Sequence, residues 1–539
     1  MPDHPGRRRR LFACFCAVTA VLLSAAPGAL AKQGRAALAW EPCGDQGAQC
    51  ATAAVPRDYD RPNGRKLHIA VAKQPATDQA NRIGSLFFNF GGPGAPAAPF
   101  VEAFGAELFP ELNKRFDIVG FDPRGTGEGE NGIDCKVNQE TDGIYSQPFV
   151  TPLDVDVPAL VNKDRRYVAR CVALNADILP YASTANVARD MEFLRQAVGD
   201  PKLTYLGFSY GTFVGATYAS LFPGKMRALV LDGPVDAEQY INRPMQGLIE
   251  QTAGFERAFD RFMQACAGDQ VACSRFGGSD PWSAFDELVD QANAAPIPAA
   301  GYTPDPRPIQ GDDLLGAALV QLYAKQAWGD LGRALAEAAA GDGSRIRQMI
   351  DEDFYGRDPE TGEFDPGSDR YFTLGAIEQR YRKSRVGFYL EAGDACWGTF
   401  DHFWLNCGFV ELNYGLWPIQ GRDVFGGPFR VPRSAATPLV VDTTYDPATP
   451  YRGGLRLVRD LGNARLITMR GDGHTAYSGN SPECIDPAVE AYLIDRVLPP
   501  AGTKCRQDVP FTAPEDASAR SRAQAKIRQL RLHVRPLRR

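Results

Sequence analysis

Residues 203–219 constrain this chain more than any other stretch. They read LTYLGFSYGTFVGATYA, in which an apolar, β-prone run ends at Gly207 and a helical pattern of small residues follows Gly211. A strand that turns at once into a helix strains the backbone at the turn and exposes the residue there, Ser209, at the edge of a sheet. Glycines two positions to either side remove the clashes that such a turn creates. The pattern predicts Ser209 as a nucleophile; its alternative is a serine that caps the helix.

Alternating strands and helices flank this turn. Apolar runs predict strands at residues 85–90, 116–121 and 226–231, and apolar positions at helical spacing predict a helix at residues 184–198. This alternation implies an α/β fold with a mostly parallel sheet and helices on both faces. We assign residues 32–234 to the first part of this core.

Three stretches within the first part depart from the alternation. Residues 32–65 read as a leader with a small loop, and residues 66–73 alternate as an edge strand does. Residues 132–182 contain prolines and read as an irregular excursion, which Cys135 and Cys171 could staple.

The alternation ceases between residues 235 and 434. Helical patterns interrupted by breaker-rich segments predict a large, mainly helical cap over the C-terminal edge of the sheet, and an independent domain of unrelated function is the alternative. The core resumes at residues 435–505, where strands at residues 438–442 and 464–469 flank a helix at residues 451–461. A chain of this length accommodates one large domain with such an insertion.

The two ends of the chain have their own signals. Residues 1–31 combine four arginines, an apolar run and an Ala-Leu-Ala site, which predicts a signal peptide and a secreted, periplasmic or cell-envelope protein of a bacterium. The apolar run is short for a membrane span, so no stable insertion is expected after cleavage. Residues 506–539 form a basic tail that we expect to be disordered. The whole chain carries −6, and residues 1–31 hold four Arg and one Asp, so the remainder carries −9; this acidity argues against nucleic acid as a partner.

Cysteine usage agrees with export. Ten cysteines lie beyond residue 31, and an even number in an exported chain indicates disulfides. Pairing of nearest neighbours would give five local disulfides, although spacing leaves the connectivity open; these pairs are Cys43/Cys50, Cys135/Cys171, Cys266/Cys273, Cys396/Cys407 and Cys484/Cys505. The chain has no Cys-x-x-Cys and only four histidines beyond residue 31, so a structural zinc site is not expected.

Two glycine-rich turns follow predicted strands. The first contains Gly91 and Gly92, whose backbone can approach a substrate closely, so we predict an oxyanion hole made by the backbone amides of Gly91, Gly92 and Tyr210. The second contains Arg124, for which we predict ordinary turn chemistry and a structural ion pair. Turn chemistry alone is the alternative for the first.

A serine nucleophile needs a base to take its proton and an acid to orient that base. His474 lies between glycine and threonine in a loop after a late strand, which is where the base of such a sheet belongs. His68 falls on an early strand, His402 within the cap and His533 in the tail. We therefore predict His474 as the base.

Asp446, just past the strand that precedes the last predicted helix and strand, is our candidate acid. The chain order Ser, Asp, His then matches one of the known triad orders. Asp232 closes the strand after the turn helix and is the alternative, Asp442 comes too early, and Asp472 is too near His474 along a tight turn to orient its ring. In the mechanism that follows, Ser209 attacks an acyl carbon and water later releases the acyl group, and no metal or organic cofactor is required.

Several of these motifs together resemble one family. They are similar to those of secreted bacterial tripeptidyl aminopeptidases of the α/β-hydrolase class, which are related to proline iminopeptidases, and the resemblance spans about residues 40–505. It implies the triad Ser209, Asp446 and His474, a cap that restricts the substrate, and removal of short peptides from free N-termini. The segments that carry it are NFGGPG at 89–94, DPRG at 122–125, GFSYG at 207–211, LDG at 231–233, DPATP at 446–450 and GHT at 473–475.

The sequence departs from the related iminopeptidases in two respects. Phe90 stands where those enzymes usually place a histidine, and the cap has no motif that transfers. Cap carboxylates pair with the substrate amine in such exopeptidases, and Glu250, Glu256 and Asp260 lie on an early cap helix, but none is assigned this role. A peptide or small acyl substrate is expected. A carboxylesterase with the same triad, a proline iminopeptidase-like enzyme and a non-catalytic binding protein are the alternatives, and the oligomeric state stays open.

Overall fold

The computed structural model describes residues 38–127, 129–146 and 155–509. The predicted signal peptide and the tail beyond residue 509 lie outside these residues. None of the helices within the described ranges combines the length and apolar character that crossing a membrane requires.

A ten-stranded sheet forms the centre of the described chain. Its strand order is β1-β2-β3-β5-β4-β6-β7-β8-β9-β10. Antiparallel pairing joins β1, β2, β3 and β5, and the seven strands from β5 through β4 to β10 pair in parallel. The α/β fold with a mostly parallel sheet is confirmed. The strands are β1 (Glu41–Cys43), β2 (Ala48–Pro56), β3 (Lys66–Gln74), β4 (Gly84–Asn89), β5 (Phe116–Phe121), β6 (Leu203–Phe208), β7 (Met226–Asp232), β8 (Leu439–Tyr445), β9 (Arg465–Asp472) and β10 (Lys504–Arg506).

Helices cover both faces of this sheet. The strands β4, β5 and β6 are buried along their whole length and are mostly apolar, as is typical of strands with two covered faces. One face packs against α1, α2 and α15, and the other against α3, α4, α5 and α14. These helices are α1 (Ala98–Leu108), α2 (Pro110–Asn113), α3 (Val157–Asn175), α4 (Thr184–Ala197), α5 (Tyr210–Leu221), α14 (Tyr451–Leu461) and α15 (Ile485–Asp495).

The segment between β7 and β8 is helical and adds no strand to the sheet. It packs around a hydrophobic cluster of its own, which Phe259, Phe285 and Trp328 help to fill. The residue bounds of the core and the cap stay a prediction. The α-helices of this segment are α6 (Ala237–Asn242), α7 (Pro244–Gly268), α8 (Pro281–Ala294), α9 (Gly311–Gln321), α10 (Trp328–Ala339), α11 (Ser344–Gln348), α12 (Gly367–Glu378) and α13 (Val386–Trp397), with a π-helix at Met349–Phe354 and 3₁₀ segments at Trp404–Cys407 and Val410–Leu416.

Four local expectations from the sequence are wrong. The leader at residues 32–65 contains β1 and β2, and β3 is an interior strand because it pairs with both β2 and β5. The excursion at residues 132–182 contains the 19-residue helix α3. At the C-terminal end, the sheet extends one residue into the segment expected to be a disordered tail, because Arg506 is the last residue of β10.

All five nearest-neighbour disulfides are present in the described chain. They join Cys43 to Cys50, Cys135 to Cys171, Cys266 to Cys273, Cys396 to Cys407 and Cys484 to Cys505. Each closes a short loop, so together they constrain the ends of elements more than the relation of distant segments.

Candidate active site

Ser209 lies at the turn between β6 and α5 with a strained backbone. Its φ of 55° and ψ of −127° fall where residues other than glycine are rarely found. The turn is tight on both sides: a Cβ on Gly207 would lie 2.4 Å from the carbonyl oxygen of Gly211, and a Cβ on Gly211 would lie 2.6 Å from that of Asn89. The glycines at these two positions are therefore steric requirements of the turn that presents the serine hydroxyl.

His474 and Asp446 meet at the ends of neighbouring parallel strands. Asp446 follows β8, His474 comes two residues after β9, and the Nδ1 of His474 lies 2.8 and 3.0 Å from the two carboxylate oxygens of Asp446. The same carboxylate accepts hydrogen bonds from the amides of Ala448 and Thr449 at 2.9 and 2.8 Å and from the Thr449 hydroxyl at 3.0 Å. These donors fix the carboxylate, which in turn fixes the imidazole.

The other aspartates considered from the sequence have different contacts. Asp232 accepts hydrogen bonds from the amides of Ala476 and Tyr477 and so holds the loop after His474. Asp442 is buried without a hydrogen-bond partner in the described residues, and burial, to which the charge of Asp446 adds, raises its pKa well above the ordinary value. Asp446, and not Asp442, is therefore the carboxylate in contact with the ring.

Ser209 and His474 both adjoin the end of β7. The Ser209 amide donates to the carbonyl of Asp232 at 2.9 Å. A Cβ on the next residue, Gly233, would lie 2.9 Å from Cε1 of the His474 ring. The Nε2 of His474 is buried and has no hydrogen-bond partner among the described residues, so the Ser209 hydroxyl does not bond to it in this structure.

The structure separates the predicted oxyanion donors. The Gly91 amide donates to Oδ1 of Asn89 at 2.9 Å and is thus engaged within its own turn, and its role in the oxyanion hole stays a prediction. Gly91 still has to be a glycine, because a Cβ there would lie 2.8 Å from Cβ of Ser209 and 3.0 Å from the amide nitrogen of Tyr210. Gly92 and Tyr210 line the same cavity as Ser209.

This cavity has a volume of about 250 Å³ and lies between the strand ends and the helical segment. Its wall combines Ser209 and Thr449 of the core with residues of α7, α9, α12 and the 3₁₀ segments. Aromatic side chains dominate it, among them Tyr145, Tyr240, Phe255, Tyr323, Tyr371 and Tyr414. A few residues of a peptide, or an acyl chain of similar size, would fill such a volume.

One carboxyl group on this wall has no cationic partner. Glu411 is buried, accepts a hydrogen bond from the Gly408 amide at 2.7 Å and pairs with no Lys or Arg within the described ranges. Burial raises the pKa of Glu411 to about 8, and the hydrogen bond from Gly408 only partly opposes this shift. Asp353, on the same wall, accepts a hydrogen bond from Gln321 at 3.2 Å.

The three cap carboxylates considered from the sequence are engaged elsewhere. Glu250 lines the cavity but pairs with Arg456. Glu256 accepts hydrogen bonds from the backbone amide of His402, at 2.9 Å, and from its ring, and Asp260 accepts one from the Trp282 indole at 3.2 Å.

Two charged groups outside the cavity have structural roles. Arg124 is fully buried and pairs with Asp190 at 2.5 Å, as the ion-pair prediction had it. Glu140, Asp305 and Asp351 lie close enough together to suggest a metal site, yet each pairs with at least one arginine. The arginines supply the positive charge that a cation would bring, so we interpret this cluster as an ion-pair network; they are Arg307, Arg347 and Arg357.

Sequence reasoning missed the residues that shape the cavity. Glu411 lies in a 3₁₀ segment without any recognisable motif, and Tyr323 and Tyr145 reach the wall from segments far apart in the chain. The sequence signal near Glu411 is the spacing of Cys396 and Cys407, which indicates a loop and not a functional site.

Comparison with known proteins adds relatives over most of the chain. A family model described as the alpha/beta hydrolase fold matches residues 86–480. A protein named serine protease Hip1 from Mycobacterium tuberculosis is 33% identical over 504 residues, which cover 86% of this chain and 90% of that protein.

Two further relatives have different names. Carboxylesterase B from the same organism is 33% identical over 475 residues, covering 85% of this chain and 86% of the relative. Tripeptidyl aminopeptidase from Streptomyces coelicolor is 27% identical over 495 residues, covering 86% of this chain and 85% of the relative. The resemblance predicted from the motifs is thus confirmed.

Proposed function

This chain belongs to the α/β-hydrolase fold family and is a serine hydrolase, and on that premise we propose that it is a secreted exopeptidase that releases tripeptides from free N-termini. The proposal combines four parts: a triad of Ser209, Asp446 and His474, an oxyanion hole, a cavity that recognises the substrate amine, and secretion.

The reaction proceeds in two halves. Ser209 Oγ attacks the scissile carbonyl while Nε2 of His474 takes its proton, and Asp446 stabilises the imidazolium at Nδ1. The amides of Gly92 and Tyr210 donate to the oxyanion, and His474 then returns the proton to the leaving amine as the acyl-enzyme forms. Water, deprotonated by His474, attacks the ester and frees Ser209.

The observation that carries the peptidase assignment is Glu411 on the cavity wall. A buried carboxyl without a cation is costly, and a substrate that brings an ammonium group removes this cost. An acyl ester has no such group. The tyrosines around the cavity support the same ligand, because aromatic faces attract cations.

Two substrates with the same leaving group test the proposal. We expect hydrolysis of a tripeptidyl arylamide and a large loss of kcat/KM when its amine is acetylated. Removing one partner of a buried charge pair costs about 2 kcal/mol or more, which corresponds to roughly thirtyfold in kcat/KM. Glu411→Gln should lower kcat/KM for the free-amine substrate alone, with the acetylated substrate as its matched control. Equal rates for the two substrates in the wild type would contradict the proposal.

A carboxylesterase is the second candidate, because a relative of that name is as similar as the named protease. An aryl ester without an amine distinguishes the two, since an esterase would prefer it to the tripeptidyl arylamide. Labelling by a fluorophosphonate, abolished in Ser209→Ala, checks the nucleophile independently of the substrate and would also refute a non-catalytic binding protein.

Secretion is the remaining part of the proposal. Residues 1–31 have the pattern of a signal peptide, and the five disulfides require an oxidising compartment to form. We expect N-terminal sequencing of protein recovered from the culture medium to begin at Lys32. Recovery only from the cytoplasm, with residues 1–31 attached, would contradict this.

A further inference from the structure

The loop that carries His474 is held by the cap through an acidic residue. Asp472 ends β9, and its carboxylate accepts hydrogen bonds from Nε and Nη2 of Arg261 on α7, the second at 3.2 Å. The Nζ of Lys325, which follows α9, lies 3.4 Å from the same carboxylate. The Asp472 side chain is 6% exposed, so two cationic groups of the cap surround a nearly buried anion two residues before His474.

The cap also contacts His474 itself. The His474 amide donates to the carbonyl of Tyr323 at 2.7 Å, and the Tyr323 ring stands edge-on to the imidazole with 5.6 Å between centroids. Further along the loop, the Gln326 amide donates to Oδ1 of Asn480 at 2.7 Å. Residues 323–326, which follow α9, therefore contact the loop before, at and after His474.

Arg261 also contacts the residue next to the candidate acid. Its guanidinium lies 3.6 Å over the ring of Tyr445, the residue directly before Asp446. A planar guanidinium can stack on an aromatic face and hold a carboxylate with two hydrogen bonds at once, which the ammonium of a lysine cannot. One cap arginine thus touches the neighbours of both residues that must align.

The core fixes the same loop independently. The Asp472 amide donates to the Gln507 side chain at 3.0 Å, the Gln507 amide group donates to the Asp472 carbonyl at 2.8 Å, and Asp232 accepts two hydrogen bonds from the loop beyond His474. The core and the cap therefore both hold the loop. The cap contacts hold the loop from the side and place two positive charges, those of Arg261 and Lys325, beside it.

From these contacts we propose that Asp472 is a positioning residue. Together with Arg261, it couples the position of the cap to the orientation of the His474 imidazole. The inference rests on the serine hydrolase mechanism of the proposed function, but not on the choice between peptide and ester. The imidazole is aligned for proton transfer when the cap has the position seen in this structure. When the cap moves, Arg261 moves with it and the imidazole is no longer aligned. Asp472 contacts neither the ring nor the reacting atoms in this role.

The test compares Arg261→Met and Asp472→Asn with wild type in their rates of fluorophosphonate labelling and in kcat and KM for an aryl ester. We expect about tenfold slower labelling and lower kcat in Arg261→Met with KM nearly unchanged, since misplacing a catalytic group by a fraction of an ångström costs this much. The double variant should be no slower than the slower single one, because the two residues act as a unit.

The pH profile separates positioning from mere structural support. Arg261→Met leaves the negative charge of Asp472 balanced by Lys325 alone and should raise the kinetic pKa of the acidic limb, whereas Asp472→Asn leaves both positive charges near the imidazole and should lower it. A residue that only stabilises the fold would not give opposite shifts.

Arg345→Met is the matched control, because Arg345 and Glu337 form a similar two-bonded pair within the cap at 2.8 and 3.2 Å. It should leave labelling unchanged. Labelling of folded Arg261→Met within twofold of wild type, or kinetic pKa shifts of the same sign in the two variants, would overturn the proposal. Because labelling needs no peptide, a wild type that is labelled but cleaves only esters would refute the exopeptidase and leave this comparison intact.

Discussion

Replacing Gly233 by alanine should impair catalysis far more than stability. Gly233 has a φ of 65°, and an added Cβ would lie 2.9 Å from Cε1 and 3.2 Å from Nδ1 of His474. Ordinary contact begins at 3.4 Å, so the ring must move by about 0.5 Å. Since a displacement of about 1 Å can cost roughly a hundredfold, we expect kcat to fall about tenfold.

The backbone cost of this substitution can be measured separately. A residue other than glycine in the left-handed region costs about 1–2 kcal/mol. Gly462, which ends α14, has a φ of 68° and no atom within 4 Å of an added Cβ, so Gly462→Ala carries the same backbone strain with no neighbour to displace. It is the matched control for stability.

The assay is kcat on an aryl ester together with the melting temperature of both variants. We expect both variants to melt a few degrees lower than wild type, and only Gly233→Ala to lose activity. A Gly233→Ala enzyme with kcat within twofold of wild type would show that the ring is not packed against this glycine as described. Equal losses of activity in the two variants would show that strain, and not displacement, is responsible.

Three further predictions concern the acid, the cavity and a disulfide. Asp446→Asn should lower kcat on an aryl ester by about 10⁴-fold, because an amide no longer holds Nδ1 of His474 in the required tautomer. Glu411 has its pKa raised by burial to about 8, so its protonated form is favoured by folding, and its contribution to stability is lost as pH rises from about 4.5 to 8. The melting temperature of Glu411→Gln should therefore rise relative to that of wild type across that pH range. The Cys484–Cys505 disulfide closes a separation of 21 residues, and replacing both cysteines by alanine should lower the free energy of unfolding by about 3 kcal/mol in denaturant titrations.

The sequence predicts those parts of the molecule whose physics is local. The turn at Ser209 needs glycines at two fixed offsets, and a buried parallel strand is mostly apolar along its length, so both leave a pattern that can be read from a few residues. The elements that were missed also carried local signals. Helix α3 has proline in its first turn, an arrangement typical of helix starts that the reading of an irregular excursion overlooked. Strand β2 is rich in small residues and lacks a clear alternation, which is why it read as a leader.

The hydrogen bond of the Gly91 amide could not be predicted from the sequence, for a different reason. A pattern of glycines shows that the backbone can come close to a substrate, but it does not show which amide is free. That depends on the Asn89 side chain, which turns back to take the Gly91 hydrogen. The same limit applies to Glu411, because its isolation from any cation depends on segments that meet only in the folded chain.

Overall sequence similarity cannot identify the substrate, because the core and the cap contribute different kinds of residue to the site. The residues assigned to the chemistry lie at the ends of strands and carry motifs, whereas those that would recognise a substrate come from the cap and from loops without motifs. Two relatives named as a protease and as a carboxylesterase are equally similar to this chain, at 33%, as expected if the shared identity resides mainly in the core. A single cap residue can then decide between an amide substrate with a free amine and an ester without one. The amine dependence of hydrolysis in the wild type and in Glu411→Gln therefore bears more on function than any further gain in overall sequence comparison.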